Sequence, residues 1–360
     1  MINSHPSCNY SLSEYFEILC PKDDYPAFID KYLFLDILQR LKEIGLLCGT
    51  DWTSLYKNRF YYSRFDHSFG VALIIWHFTH DKKQTLAGLF HDIATPVFSH
   101  VSDFRKGDAL TQTATEEPTS KILRSSKKLE ELLKQDELCV SQIEDYHIYP
   151  VADNEIPNLS ADRLEYMFPS GIALDGSWTM DEIKRCYNDI IILKNENNVD
   201  ELGFKTKEIA EIYCRHFCMI GHILQLNENK LTLQLLGEIM NLSEKLNVLC
   251  EKDFMTLSEQ QILEKIELFI NKDESETKES GLLKAYYRTF RNMKKIRHTS
   301  HPLKNHFCVS LNVKQRYINP LVQNGDKSIR LYEISEASKK IIDDFLKYKD
   351  SDYGCVKLIK

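Results

Sequence analysis

His91 and Asp92 stand at the end of an apolar segment, Thr85 to Phe90, and run into Ile-Ala-Thr-Pro-Val-Phe-Ser-His100. Two imidazoles and a carboxylate set in core-like sequence cannot be buried alone, because an uncompensated buried charge is costly. The fold must bring partner groups to this point from elsewhere in the chain. A metal ion is an economical partner for neutral imidazoles facing carboxylates.

The sequence around this point reads as helical. Only 13 Gly and 10 Pro interrupt 360 residues, and both are helix breakers. Apolar residues recur at helical spacing from Phe28 to Leu47, from Ser68 to His80 and from Leu86 to Ile93. Thr179-Met-Asp-Glu182 reads as a capping box opening a helix through Ile190 and Ile191, and Ser258-Glu-Gln-Gln261 opens another. Ser160 caps a short helix that Pro169 is expected to stop. Further helices are expected over 119–135, 204–226, 231–248, 282–297 and 335–347. Period-two alternation appears over Phe307–Val313, with Ile329–Tyr332 as a candidate hairpin partner across the Asn324-Gly325 turn. The expected fold is mainly α. Its helical body covers 1–270, residues 271–280 form a linker or long loop, and a smaller α+β part at 281–360 carries a short β-hairpin. The irregular, Thr-rich stretch 101–118 reads equally as a lid or as a plain surface loop.

Two other segments supply groups suited to His91 and Asp92. Arg64-Phe-Asp-His67 offers a cation three residues before an imidazole. In Ser160-Ala-Asp-Arg-Leu-Glu-Tyr166, Asp162 and Tyr166 share one helix face at i and i+4. The other His-Asp dipeptide, His80-Asp81, is followed by two lysines and reads as an exposed helix end.

The ordered set RFDH (64–67), HD (91–92), FSH (98–100) and ADRLEY (161–166) resembles the HD-domain metal-dependent phosphohydrolases. Within them it looks like the branch of deoxynucleoside triphosphate triphosphohydrolases. Arg64-Phe-Asp-His-Ser-Phe-Gly70 fits that branch's R-F-x-H-S-x-G, and the resemblance spans about residues 60–170. It implies a helical HD core with one divalent ion (Mn, Fe, Ni, Mg or Zn) on His67, His91, Asp92 and Asp162. It also implies that Arg64 and His100 bind phosphate or assist the chemistry, and that Tyr166 contacts the nucleoside. The expected substrate is a nucleotide or related phosphoester. A monophosphatase, a cyclic-nucleotide phosphodiesterase and a slow nucleotide sensor are the alternatives.

The pattern departs from the family in three places. Ala94-Thr95 replaces a Gly-His, Glu116-Glu117 stands where a His-Glu pair is usual, and Phe168-Pro169-Ser170 replaces the end of D-R-x-x-Y-x-x-R-D. With these changes Glu117 is the candidate base or water-positioner, because a Glu must be shifted upward before it donates a proton at neutral pH.

The remaining features bear on partners and location. Cys214, Cys218 and His222 fall at i, i+4 and i+8, but on an apolar helix where Cys serves as a small hydrophobe. Between Gly281 and Gly325 stand nine Lys and Arg and no acidic residue, in a chain of net charge −7. Nucleotide phosphate, nucleic acid, an acidic face of a second subunit and plain solvent all suit such a patch. The resembled enzymes are commonly homo-oligomers, which favours a second subunit over nucleic acid. Ten Cys without a CxxC pair read as reduced thiols, and no apolar run reaches the ~18 residues of a membrane span. The N-terminus lacks the basic and apolar pattern of a secretory signal. A cytoplasmic protein without membrane contact is expected.

Overall fold

The computed structural model describes residues 12–110, 119–272 and 277–359. Among these, α-helices dominate, and seven strands form two sheets. At the centre lie the helices Arg64–Thr79 and Lys82–Phe90, with Ala161–Leu174 and Lys207–Gln225 packed against them in turn. Asn227–Lys245 follows directly and carries a second apolar core shared with Lys278–Asn292 and the segment Val97–Phe104.

Local chemistry explains where the central helix begins. Ser63 accepts a hydrogen bond from the Asp66 backbone N–H at 3.1 Å, and Asp66 Oδ2 accepts one from the Ser63 N–H at 3.0 Å. This reciprocal cap places Arg64 and His67 one turn apart on a fixed helix start. His80 ends the same helix in the left-handed region, and Asp81 caps the next one. The His80-Asp81 pair is thus a helix junction, with His80 Nε2 on Asp24 at 2.7 Å.

Several elements differ from the sequence expectation. Pro169 does not stop its helix, which continues to Leu174. A proline cannot donate to the carbonyl four residues back, and that carbonyl, of Glu165, instead shares the Tyr15 hydroxyl proton, at 3.4 Å, with the Glu165 carboxylate at 3.0 Å. The helix capped by Thr179 ends at Asn188, and the β-branched run Ile190–Lys194 becomes strand β1. The stretch 28–47 breaks into short helical turns rather than one helix, and Val101–Arg105 is a helix. The helix Glu259–Lys272 runs past residue 270, and Lys278 opens the next one, so of the expected linker only its central residues lie outside the described ones.

The β part is larger than the single hairpin expected. β1 pairs antiparallel with β2 (Asp200–Phe204), β2 parallel with β5 (Leu321–Asn324), and β5 antiparallel with β6 (Lys327–Arg330). The turn at Asn324-Gly325 is real, but it joins β5 to β6. The alternating segment contributes β4 (His306–Val309), which pairs with β7 (Tyr353–Lys357), and β7 also pairs with β3 (Arg297–Thr299). Alternation shows that one face is buried; it does not say which distant strand lies alongside. Arg330 binds both oxygens of buried Glu201 at 2.6 and 2.9 Å, fixing β6 to β2 across the sheet.

Glu259 ties the loop before the central helix to the second core. It accepts from Trp52 Nε1 at 2.6 Å and from the Gly45 N–H at 3.0 Å. Burial nevertheless pushes its carboxyl up from 4.5 to about 7. A folded-state value above the unfolded one means that this group stabilises the fold below its unfolded value and ceases to do so as pH rises through about 7. Urea melts between about pH 5 and about pH 8 should therefore show stability declining with pH. Glu259→Gln should be less stable at the acid end, since an amide offers one acceptor for two N–H groups, and should lose this share of the slope.

Candidate metal centre

Three helical segments deliver the polar groups that His91 and Asp92 require. His67 comes from the first turns of Arg64–Thr79, His91 and Asp92 from the end of Lys82–Phe90, and Asp162 from the first turn of Ala161–Leu174. His67 Nε2 lies 3.0 Å from Asp162 Oδ1 and 3.8 Å from Asp92 Oδ2. His91 Nε2 lies 3.7 Å and 3.6 Å from the same two atoms. Single ligand atoms of His67, His91 and Asp162 all fall within 4.8 Å of one another.

Both imidazoles are oriented from behind. The His67 Nδ1–H donates to Glu165 Oε2 at 2.5 Å, and the His91 Nδ1–H donates to the Gly88 carbonyl at 2.7 Å. With Nδ1 occupied in each ring, both Nε2 atoms face the carboxylates, the arrangement that metal-binding histidines use. The donor set of two imidazole nitrogens and two carboxylates fits a divalent transition metal.

The charges are balanced tightly. Burial favours neutral Asp92, but the Arg64 guanidinium, whose Nη1 is 2.8 Å from Oδ2, leads the charges that hold its carboxyl well below the usual range. Asp162 is lowered to about 2, its burial outweighed by the hydrogen bond and charge of His67. His67 rises to about 10, because Asp162 and Glu165 together overcome its burial. Arg64 is braced further: its Nε donates to Ser99 Oγ at 3.0 Å, and Ser99 Oγ donates to the Gly45 carbonyl at 3.3 Å. Ser99 and Phe98 both adopt the left-handed region, with φ of 53° and 60°. This strain, of the kind stored at functional sites, turns the Ser99 hydroxyl toward Arg64.

These groups line a cavity of about 620 Å³, together with His100 and Tyr166. His100 Nδ1 is 3.0 Å from Asp103, and burial pushes its pKa down, helped by Arg316 and Arg64. Tyr166 is pushed up to about 12, chiefly by burial, and its ring centroid is 6.5 Å from that of His67. Thr95, where the resembled family has His, donates to Asp92 Oδ1 at 2.9 Å. Glu116 and Glu117 lie outside the described residues. Cys214, Cys218 and His222 form no metal site: the Cys214 thiol donates to the Ile318 carbonyl at 3.6 Å, and His222 packs on Tyr348.

The sequence reading does not single out Glu165, Ser99, Tyr146 or the individual basic residues Lys314 and Arg316, all placed at or behind the cavity. Glu165 is one helical turn from Asp162, the signal that was available. Gly70 offers another, since a Cβ there would sit 2.6 Å from Glu165 Oε1. Nothing local in the sequence marks Lys314 and Arg316 out from the other basic residues of 281–325.

Residues 64–166 match the HD domain family, a span running from the arginine to the tyrosine of the motif set. In fold the chain is similar to a phosphohydrolase from Bacteroides thetaiotaomicron, with TM-score 0.61 and 13% identity over 94% of this chain and 97% of that one. It is also similar to a hypothetical protein from Aquifex aeolicus, with TM-score 0.58 and 14% identity over 90% of each chain. At these identities the likeness is one of fold. No curated protein matches the chain.

His67→Ala and Asp162→Ala should each reduce bound divalent metal to background by elemental analysis, and full occupancy in either would remove the assignment. Glu165→Gln leaves every ligand in place and should weaken metal affinity by about 10- to 100-fold. Metal must displace the proton that His67 retains up to about pH 10. Affinity should therefore rise with pH, by up to about tenfold per unit between about pH 6 and about pH 8.

Proposed function

We propose that this protein, whose residues 64–166 match the HD domain family, is a metal-dependent phosphohydrolase acting on a nucleotide. The observation that carries this reading is the convergence of His67, His91, Asp92 and Asp162 in one cavity with a braced arginine. His67, His91, Asp92 and Asp162 would hold a divalent ion, which would supply Lewis acidity and lower the pKa of bound water.

The chain's own residues do the rest. Arg64 uses Nε on Ser99 and Nη1 on Asp92. Its remaining N–H groups are held at a fixed distance from the carboxylates and suit the oxygens of a phosphoryl group. Phosphoryl transfer depends mainly on such positioning and charge stabilisation. His100, whose imidazole is kept neutral by burial and the two nearby guanidiniums, accepts or returns a proton on the phosphate side. Tyr166 offers a ring face to the sugar or base. The fold likeness to a phosphohydrolase supports the reaction class. The resemblance to deoxynucleoside triphosphate triphosphohydrolases supports the nucleotide.

A panel of nucleoside mono-, di-, tri- and cyclic phosphates with each of Mn²⁺, Fe²⁺, Ni²⁺, Mg²⁺ and Zn²⁺ tests the reading. Release of tripolyphosphate marks a triphosphohydrolase, and release of orthophosphate from monophosphates marks a phosphatase. No turnover with any metal leaves the sensor reading. Arg64→Lys keeps the charge but loses the planar fork. It should cut kcat/KM at least about tenfold, equal to about 1.4 kcal/mol of transition-state stabilisation. Unchanged kinetics would remove Arg64 from the site.

A further inference from the structure

Glu259 opens the helix Glu259–Lys272, well beyond the matched span 64–166, and its side chain is buried. Two chains of hydrogen bonds lead from this carboxylate to Arg64. The first passes through a single peptide unit. The Gly45 N–H donates to Glu259 Oε1 at 3.0 Å, and the Ile44 carbonyl of the same peptide accepts from the Arg64 backbone N–H at 2.8 Å. Hydrogen bonds at the two ends of one peptide polarise it in the same sense and strengthen each other. The second passes through side chains. The Gly45 carbonyl accepts from Ser99 Oγ at 3.3 Å, and Ser99 Oγ accepts from Arg64 Nε at 3.0 Å. A backbone hydrogen bond from Phe98, the neighbour of Ser99, also favours the charged form of Glu259. Both segments that hold Arg64, at 44–45 and at 98–99, therefore meet on one carboxylate.

The meeting point leaves little room for rearrangement. A Cβ on residue 45 would stand 3.2 Å from Asp51 Oδ2 and from the Tyr61 ring, and 3.5 Å from Glu259 Oε2. Trp52 Nε1 donates to Glu259 Oε2 at 2.6 Å, and Arg291 lies over the Trp52 ring at 5.8 Å from its centroid. With one oxygen on Trp52 and the other on Gly45, the carboxylate cannot turn toward either donor without abandoning the second. Burial and the charge of Asp51 push its carboxyl up to about 7, so that above neutral pH both oxygens are free to accept. An apolar side chain in its place would leave two buried N–H groups unpaired.

We propose that Glu259 is a positioning residue for Arg64, which sets the guanidinium where it meets a phosphoryl oxygen by holding Gly45 and the turn at Ser99. The proposal rests on the phosphohydrolase reading above and deepens it, since it makes a residue outside 64–166 a determinant of oxyanion binding.

Sulfate is a suitable probe, being a tetrahedral dianion that does not titrate in the working range. Its affinity for the full chain is read by calorimetry at about pH 8 with Mn²⁺ present, where Glu259 is largely ionised, beside the melting temperature of each variant. Glu259→Gln turns an amide N–H₂ toward one of the two N–H donors and should weaken sulfate binding about three- to tenfold. Ser99→Ala should weaken it by a similar factor. The double variant should lose little more than either single one, because both act through the same guanidinium. Adding Trp52→Phe to Glu259→Gln removes the competing donor, leaves the amide oxygen to Gly45 and should restore affinity to within about twofold of wild type. Glu259→Asp keeps the charge but shortens the reach, and it carries the same test if Glu259→Gln does not fold. A role confined to stability would lower the melting temperature and leave the sulfate affinity of the folded protein unchanged. That result, or fully additive losses in the double variant, overturns the proposal. Sulfate affinity indifferent to Arg64→Gln instead overturns the placing of phosphate at Arg64, and the proposal with it.

Discussion

Glu165 is fully buried and accepts hydrogen bonds from the Tyr62 hydroxyl at 2.5 Å, the Tyr15 hydroxyl at 3.0 Å and the His67 ring at 2.5 Å. A carboxylate removed from water needs such partners on every side. Meeting that need fixes the helix Ala161–Leu174 against the N-terminal helix Leu12–Leu19, the strand-like entry at Tyr62 and the helix Arg64–Thr79. Close approach at Gly70 follows from the same contact. Asp162, one turn away on the same helix, is thereby held opposite His67. The geometry of the candidate metal centre follows from how one buried carboxylate is satisfied.

The centre is also an electrostatic balance. Asp92 and Asp162 are held ionised in a largely buried site because Arg64, His67 and His91 surround them. Removing any one cation leaves a buried charge unpaired, and that penalty exceeds the modest net worth of an ion pair. Arg64 makes two structural hydrogen bonds, to Asp92 and to Ser99. Its Asp92 contact pairs a buried carboxylate, and its Ser99 contact depends on a turn with two left-handed residues, held by backbone hydrogen bonds and by the buried Phe98 ring. Strain of this sort persists where the surroundings over-determine the backbone.

The C-terminal part is bound into the body rather than appended to it. β5 lies parallel to β2, and Arg330 closes on Glu201 and Glu196. Parallel pairing of strands more than a hundred residues apart needs a long crossover, which the intervening helices supply. The irregular segment 310–320 gains its position from that packing, and through it the cavity acquires a wall from outside residues 64–166.

The sequence by itself determined the helical class, the caps at Thr179 and Ser258, and the residues that would meet. His67, His91, Asp92 and Asp162 are legible because ionisable groups in apolar, helix-periodic segments must find one another, and their order leaves few ways to do so. Tertiary structure alone decided the rest. Local periodicity cannot tell that Pro169 is tolerated, because the Tyr15 hydroxyl that takes up the freed carbonyl is 150 residues away in the chain. Period-two alternation marked Phe307 and Val309 as strand residues, but the partner expected at Ile329–Tyr332 pairs with β5 instead, and β4 lies against β7. Nine basic residues look alike in sequence. Only the anchoring of residue 314 at Ala109 and the space above Gly221 set Lys314 and Arg316 apart from the others. Short-range rules specify which residues a helix turns inward; which surfaces then touch is fixed by long-range packing and by the cost of leaving a buried polar group unpaired.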